Sequence, residues 1–129
     1  MAIAQQYHQN QVHFLRKEVN HNDPGIATGV VIGRLPANAQ VTQALARVRT
    51  TFNAGTTNVL TVGTNASSYD NIFGTADIAE GSAGNNAAPL ANLQEALSEA
   101  DIYVKYTQTG TAATQGKAVI HIAYTVNNG

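Results

Sequence analysis

The chain has no cysteine and no tryptophan, and only 12% of its 129 residues are charged. Without cysteine there is neither a disulfide framework nor a thiolate metal site, and folding in a reducing compartment is compatible with the composition. Without tryptophan the broadest aromatic surface for stacking on a sugar is missing. The charge is about half the usual share of roughly a quarter, and its two signs nearly cancel, at net −1. A nucleic-acid partner would leave a basic footprint, and there is none. No run approaches the roughly 20 apolar residues that cross a bilayer. The opening MAIAQQYHQNQVHF lacks the basic start and continuous apolar stretch of a secretory signal. The expectation is a soluble chain with no nucleic-acid and no membrane partner.

What is present fits one globular domain. Hydrophobic residues make up 43%, which sets the chain apart from disordered sequences, and its length suits one core. The polarity that charge would supply comes from Thr, Asn, Gln and Ser, with many Ala and Gly. Such a surface hydrogen-bonds well and repels its neighbours weakly. It suits a crowded assembly, and it is also common in secreted β-domains.

Residues 1–25 are rich in Gln, Asn and His and close on the turn signal Asn22-Asp23-Pro24-Gly25. They read as an N-terminal arm before a domain at 26–129. A short strand near Val12–Val19 is expected within the arm, and the rest is either a functional arm or a frayed terminus. From Thr28 a β-branched run leads to Pro36, as a strand ended by proline would. Between Val41 and Phe52 apolar positions alternate, with Arg47 and Arg49 on the opposite face. A β-bulge near Ala44 would return Val41 and Leu45 to the core side. The link 53–57 and the strand-like 58–63 suggest a β-hairpin with its predecessor.

Residues 64–88 read as loops pinned by Tyr69, Ile72, Phe73 and Ile78, with room for a short strand near 76–79. Leu90, Leu93 and Leu97 recur at helical spacing after Pro89, so 89–98 is either a short helix or a long loop. Ile102, Val104 and Tyr106 alternate inward. Ala118, Ile120, Ile122, Tyr124 and Val126 then form the clearest strand face in the chain. Several short strands joined by Gly- and Thr-rich turns predict an all-β fold, an antiparallel β-sandwich or jelly roll.

No constellation points to catalysis. His8, His13, His21 and His121 show no spacing that would converge on a metal. Asp70, Asp77 and Glu80 share a loop segment that hard-oxygen calcium coordination could use, but the EF-hand pattern is absent and solvated loop acids are the plainer reading. There is no Gly-x-Ser-x-Gly and no Walker lysine. Tyr69, Tyr103 and Tyr106 are the available stacking residues. No catalytic, cofactor-binding or metal site is expected.

Four runs carry a resemblance: RLPANAQV at 34–41, VRTTFNAGTTNVLTVGT at 48–64, ADIYV at 100–104 and TGTAATQGKAVI at 109–120. Over about residues 28–126 the chain resembles the jelly-roll cement or decoration proteins of tailed-bacteriophage heads, whose related domains occur in other virion parts. The resemblance implies a non-enzymatic virion protein, made in the host cytoplasm. It would bind the outer capsid surface as a homo-dimer or homo-trimer and clamp the major capsid protein lattice. The alternative is a carbohydrate-binding jelly roll of a phage fibre or tail component. Candidate partner-binding residues are Tyr7, His8, His13 and Arg16 in the arm, Arg47 and Arg49 on a strand, and Tyr69 and Phe73 in the loops, where recognition usually sits on a rigid scaffold.

Overall fold

A computed structural model describes residues 12–126. Eight strands follow one another: β1 (His13–Asn20), β2 (Val30–Leu35), β3 (Ala39–Thr50), β4 (Thr57–Gly63), β5 (Gly84–Ala87), β6 (Glu95–Ala96), β7 (Ala100–Thr109) and β8 (Lys117–Val126). Every pairing is antiparallel. One sheet runs β1-β8-β3, with β5 and β6 both on the far side of β3, and the other runs β2-β7-β4. The expected all-β sandwich is what the chain forms.

The core lies between the sheets and is supplied by alternation on their inner faces. Ala44, Ala46 and Val48 of β3 meet Leu60 and Val62 of β4, Ile102, Val104 and Tyr106 of β7, and Ala118, Ile120 and Ile122 of β8 in one buried cluster. β1 matches its expected place, pairs with β8 from end to end, and sends Val19 into the core. Leu15 reaches across to the other sheet and lies where a side chain on Gly33 would stand, at a register shift in β2. Glycine there is a seat for its neighbour.

One of two register shifts in β3 falls between Val41 and Gln43, close to the expected position near Ala44, and the other between Val48 and Thr50. The first returns Val41 to the core, at 3% exposure, but leaves Leu45 on the outer face beside His121 and Ala87. Thr42 is exposed and donates its hydroxyl to the Ala123 carbonyl at 3.2 Å.

The expected hairpin of β3 with β4 is not formed. Both edges of β3 are occupied, by β8 on one side and by β5 and β6 on the other, so the chain crosses to the opposite sheet and β4 pairs with β7. The crossing is held at the end of the core. Phe52 is buried and donates its N–H to the Glu80 carbonyl at 3.0 Å. The Asn58 side chain accepts from the Ala54 N–H at 2.9 Å and donates to its carbonyl at 3.2 Å. Gly55 and Thr56 donate to the Thr111 and Thr109 carbonyls. Turn residues marked the link correctly, but they do not say which sheet the next strand joins.

Residues 89–98 take the loop form. Only a single 3-10 turn, Leu90–Asn92, is present. Leu90 and Leu97 are 85% and 74% exposed, and of the three leucines only Leu93 packs against the core. The edge of β3 captures this backbone instead: Val41 donates to Gln94 and Asn38 to Ala96. The strand suggested near 76–79 is a turn, whose Ile78 is nevertheless buried. The nearby strand is β5, which has no large apolar residue to announce it.

Candidate interaction surface

The outer face of the five-stranded sheet is built by the positions that alternate with the core. Across β1, β8 and β3, Arg16 lies opposite His121 and His121 opposite Leu45. One step along, Arg47 lies between Val119 of β8 and Asn85 of β5. Arg49 follows two residues later on the same face. Arg16, Arg47 and Arg49 surround a shallow depression of about 130 Å³ whose floor is Leu45, Val119 and His121 and whose rim includes Asn85. Phe14 extends the apolar part beyond it, 63% exposed, with its ring 5.0 Å from that of His121.

Three of the expected contact residues, distant in the sequence, are thus neighbours. Arg47 and Arg49 share a face as their spacing predicts, while Arg16 joins them only through the β1-β8-β3 order. Leu45, Val119, Asn85 and Phe14 complete the surface. Of these, only Val119 had a signal in the sequence, since it alternates with the apolar face Ala118, Ile120 and Ile122 of β8.

The other candidates lie elsewhere. His13 stacks on Tyr124 with centroids 5.5 Å apart. Phe73 is fully buried, bridging to Val62. It is a core anchor, and its selection as a contact residue is corrected: a side chain with no exposed surface presents nothing to a partner. Tyr69 lies on Tyr103 at 4.3 Å in a near-parallel stack, and a side chain on Gly29 would strike the Tyr69 ring. The ring is held between these neighbours, which leaves it a poor platform for a sugar. Tyr7 and His8 fall outside the described residues.

The acids of the 64–80 segment have local work. Asp70 accepts from the Asn65 amide at 2.6 Å, and Asp77 accepts from the Gly74 N–H at 2.6 Å. Glu80, 7% exposed, accepts from the Leu60 N–H at 2.8 Å. Burial pushes its carboxyl up, and the hydrogen bond from Leu60 opposes that shift. The Tyr106 hydroxyl is also raised, first by burial and then by the nearby Glu80 charge. Among the described residues no three His, Asp or Glu side chains gather to hold a metal. A cleft at the β6 end, lined by Leu35, Val41, Ile72 and Ala96 among others, encloses about 120 Å³. Small-molecule sites usually have roughly 300–1,000 Å³.

These features define a two-sheet antiparallel sandwich with three arginines on the outer face of one sheet. No family model matches the chain, and no curated protein is significantly similar to it in sequence. Solved structures do share its fold. A chain of the Cyanophage Pam1 capsid asymmetric unit matches with a TM-score of 0.76 at 16% identity, over 98% of this chain and 93% of that one. A chain of the acidic stable capsid of Helicobacter pylori bacteriophage KHP30 matches at 0.67 and 15% identity, over 88% and 86%. A chain of the capsid of Ralstonia phage GP4 matches at 0.64 and 19% identity, over 99% and 93%. At these identities the likeness is one of fold.

Proposed function

We propose that the protein is a non-enzymatic structural component of a phage virion, a cement or decoration protein bound to the outside of the head. It contacts the major capsid protein, acts as a homo-dimer or homo-trimer, and is made in the host cytoplasm. The observation that carries this reading is the match of nearly the whole chain to chains of three phage capsids. A weakly charged sandwich suits such a role.

The mechanism needs no chemistry. A protein that binds only the mature lattice stabilises it by mass action, in proportion to the logarithm of concentration over Kd. Copies repeated by the symmetry of the shell add through avidity. Cosedimentation of the purified protein with expanded and unexpanded heads of its own phage tests the reading. Binding to expanded heads, with a higher temperature of head disruption, is expected. No binding to expanded heads overturns it.

A further inference from the structure

We infer that the outer face of the five-stranded sheet docks a carboxylate-bearing segment of a neighbouring protein, with Arg16, Arg47 and Arg49 as its anchors. The inference deepens the proposed virion role and names the chemistry of the partner surface.

The argument begins with what these arginines lack. The chain has seven Lys and Arg side chains and eight Asp and Glu side chains, and all eight acids lie within the described residues. Arg34 pairs with Asp101 at 2.8 Å and Glu99 at 3.6 Å, and Lys117 with Glu18 at 3.9 Å. Lys105 donates to the Ser67 carbonyl. Among the described residues, no carboxylate pairs with Arg16, Arg47 or Arg49. The one side-chain hydrogen bond they make among the described residues runs from Arg47 to Asn85 at 3.3 Å.

Three like charges therefore face one depression with no carboxylate of the described residues paired to them. Neighbouring strands lie roughly 4.8 Å apart, so Arg16 and Arg47, two strands apart, flank the floor at a distance a short peptide segment can bridge. Each guanidinium offers a planar fork that fits a carboxylate through two parallel hydrogen bonds, which lysine cannot do. A complementary partner relieves the repulsion among the three and gains orientation from them.

The floor chooses between classes of polyanion. Leu45, Val119 and the exposed Phe14 ring give the face an apolar component, the usual composition of a protein interface with arginine and aromatic anchors. A nucleic-acid backbone would meet only three cations, with Glu18 nearby on the same strand as Arg16, and affinity for it scales with the number of phosphates neutralised. The chemistry fits Asp and Glu side chains on a protein surface.

The test compares the wild-type protein with the triple variant Arg16→Gln, Arg47→Gln, Arg49→Gln and with the control Arg34→Gln, each checked for native circular dichroism. Cosedimentation with expanded heads is measured at low and high salt. In parallel, fluorescence anisotropy follows a labelled hexaglutamate peptide and a labelled single-stranded oligonucleotide. The triple variant is expected to lose at least about tenfold in head affinity and most of its salt dependence, and to lose the peptide signal, while the control keeps both. If the wild type binds heads and the triple variant binds them equally, the docking face is overturned and the virion role stands. If the wild type does not bind heads, the virion role fails. The peptide then decides the face: binding lost in the triple variant supports it, and no binding overturns it. Tighter binding of the oligonucleotide than of the peptide, abolished in the triple variant, overturns a protein partner in favour of nucleic acid.

Discussion

Replacing Glu80 by alanine and by glutamine separates two effects that meet in one side chain. Its carboxylate is the acceptor for the N–H of Leu60, a residue with no exposed surface. Alanine leaves that N–H without a partner, which costs about 1–3 kcal/mol. At roughly 4 °C per kcal/mol for a domain of this size, Tm should fall by about 4–12 °C. Glutamine keeps an oxygen acceptor and removes the buried charge. Burial raises the Glu80 carboxyl above the ordinary glutamate value, so the folded protein holds this proton more tightly than the unfolded chain does. That contribution is complete below the unfolded value and is lost as the pH rises through the interval up to the raised folded value. Thermal unfolding followed by circular dichroism across this interval should therefore show the glutamine variant gaining on the wild type as the pH rises. A wild-type-minus-glutamine difference in Tm that does not change with pH would refute the burial argument. An alanine variant as stable as the wild type would refute the role of the hydrogen bond.

Phe73→Ala should lower stability by about 3–5 kcal/mol, read by chemical denaturation, because the ring is fully enclosed. Gly116→Ala should cost about 1–3 kcal/mol, since φ is +156° and the new methyl would meet the Phe52 ring; an unchanged denaturation midpoint would contradict this placement. Tyr106→Phe removes the hydroxyl that donates to Asn58. A loss of about 0.5–1.5 kcal/mol is expected, because Asn58 keeps its bond from Ala54.

Strands whose inner faces alternate without interruption were legible, and β7 and β8 are the clear cases. Parity also placed Arg47 and Arg49 together and put His121 on the outer side of its strand. Partnership between strands was not legible. The link after Phe52 carries the same Asn, Gly and Thr residues whether the chain turns back on itself or crosses the core, and the choice depends on β5, β6 and β8, which lie beyond the link in sequence, flanking β3. β5 is Gly-Asn-Asn-Ala at a sheet edge, where backbone pairing needs no apolar signal. The leucines after Pro89 show the converse: helical spacing means little when two of the three face water. The arginine face combines both situations. Its members were visible one by one, but their convergence depends on β1 pairing with β8 nearly a hundred residues later.

The position of β8 has a consequence for how the molecule is made. It lies between β1 and β3, yet it is the last of these strands to leave the ribosome. Until it emerges, β1 has no hydrogen-bonding neighbour in its sheet, and the two halves of the arginine-lined face are unconnected. Closing contacts so far apart in the chain is slow compared with local helix formation, and it makes completion of the surface depend on synthesis of the final strand. A copy cut short before Lys117 would lack the element that joins these parts, so it would not carry the arginine-lined face.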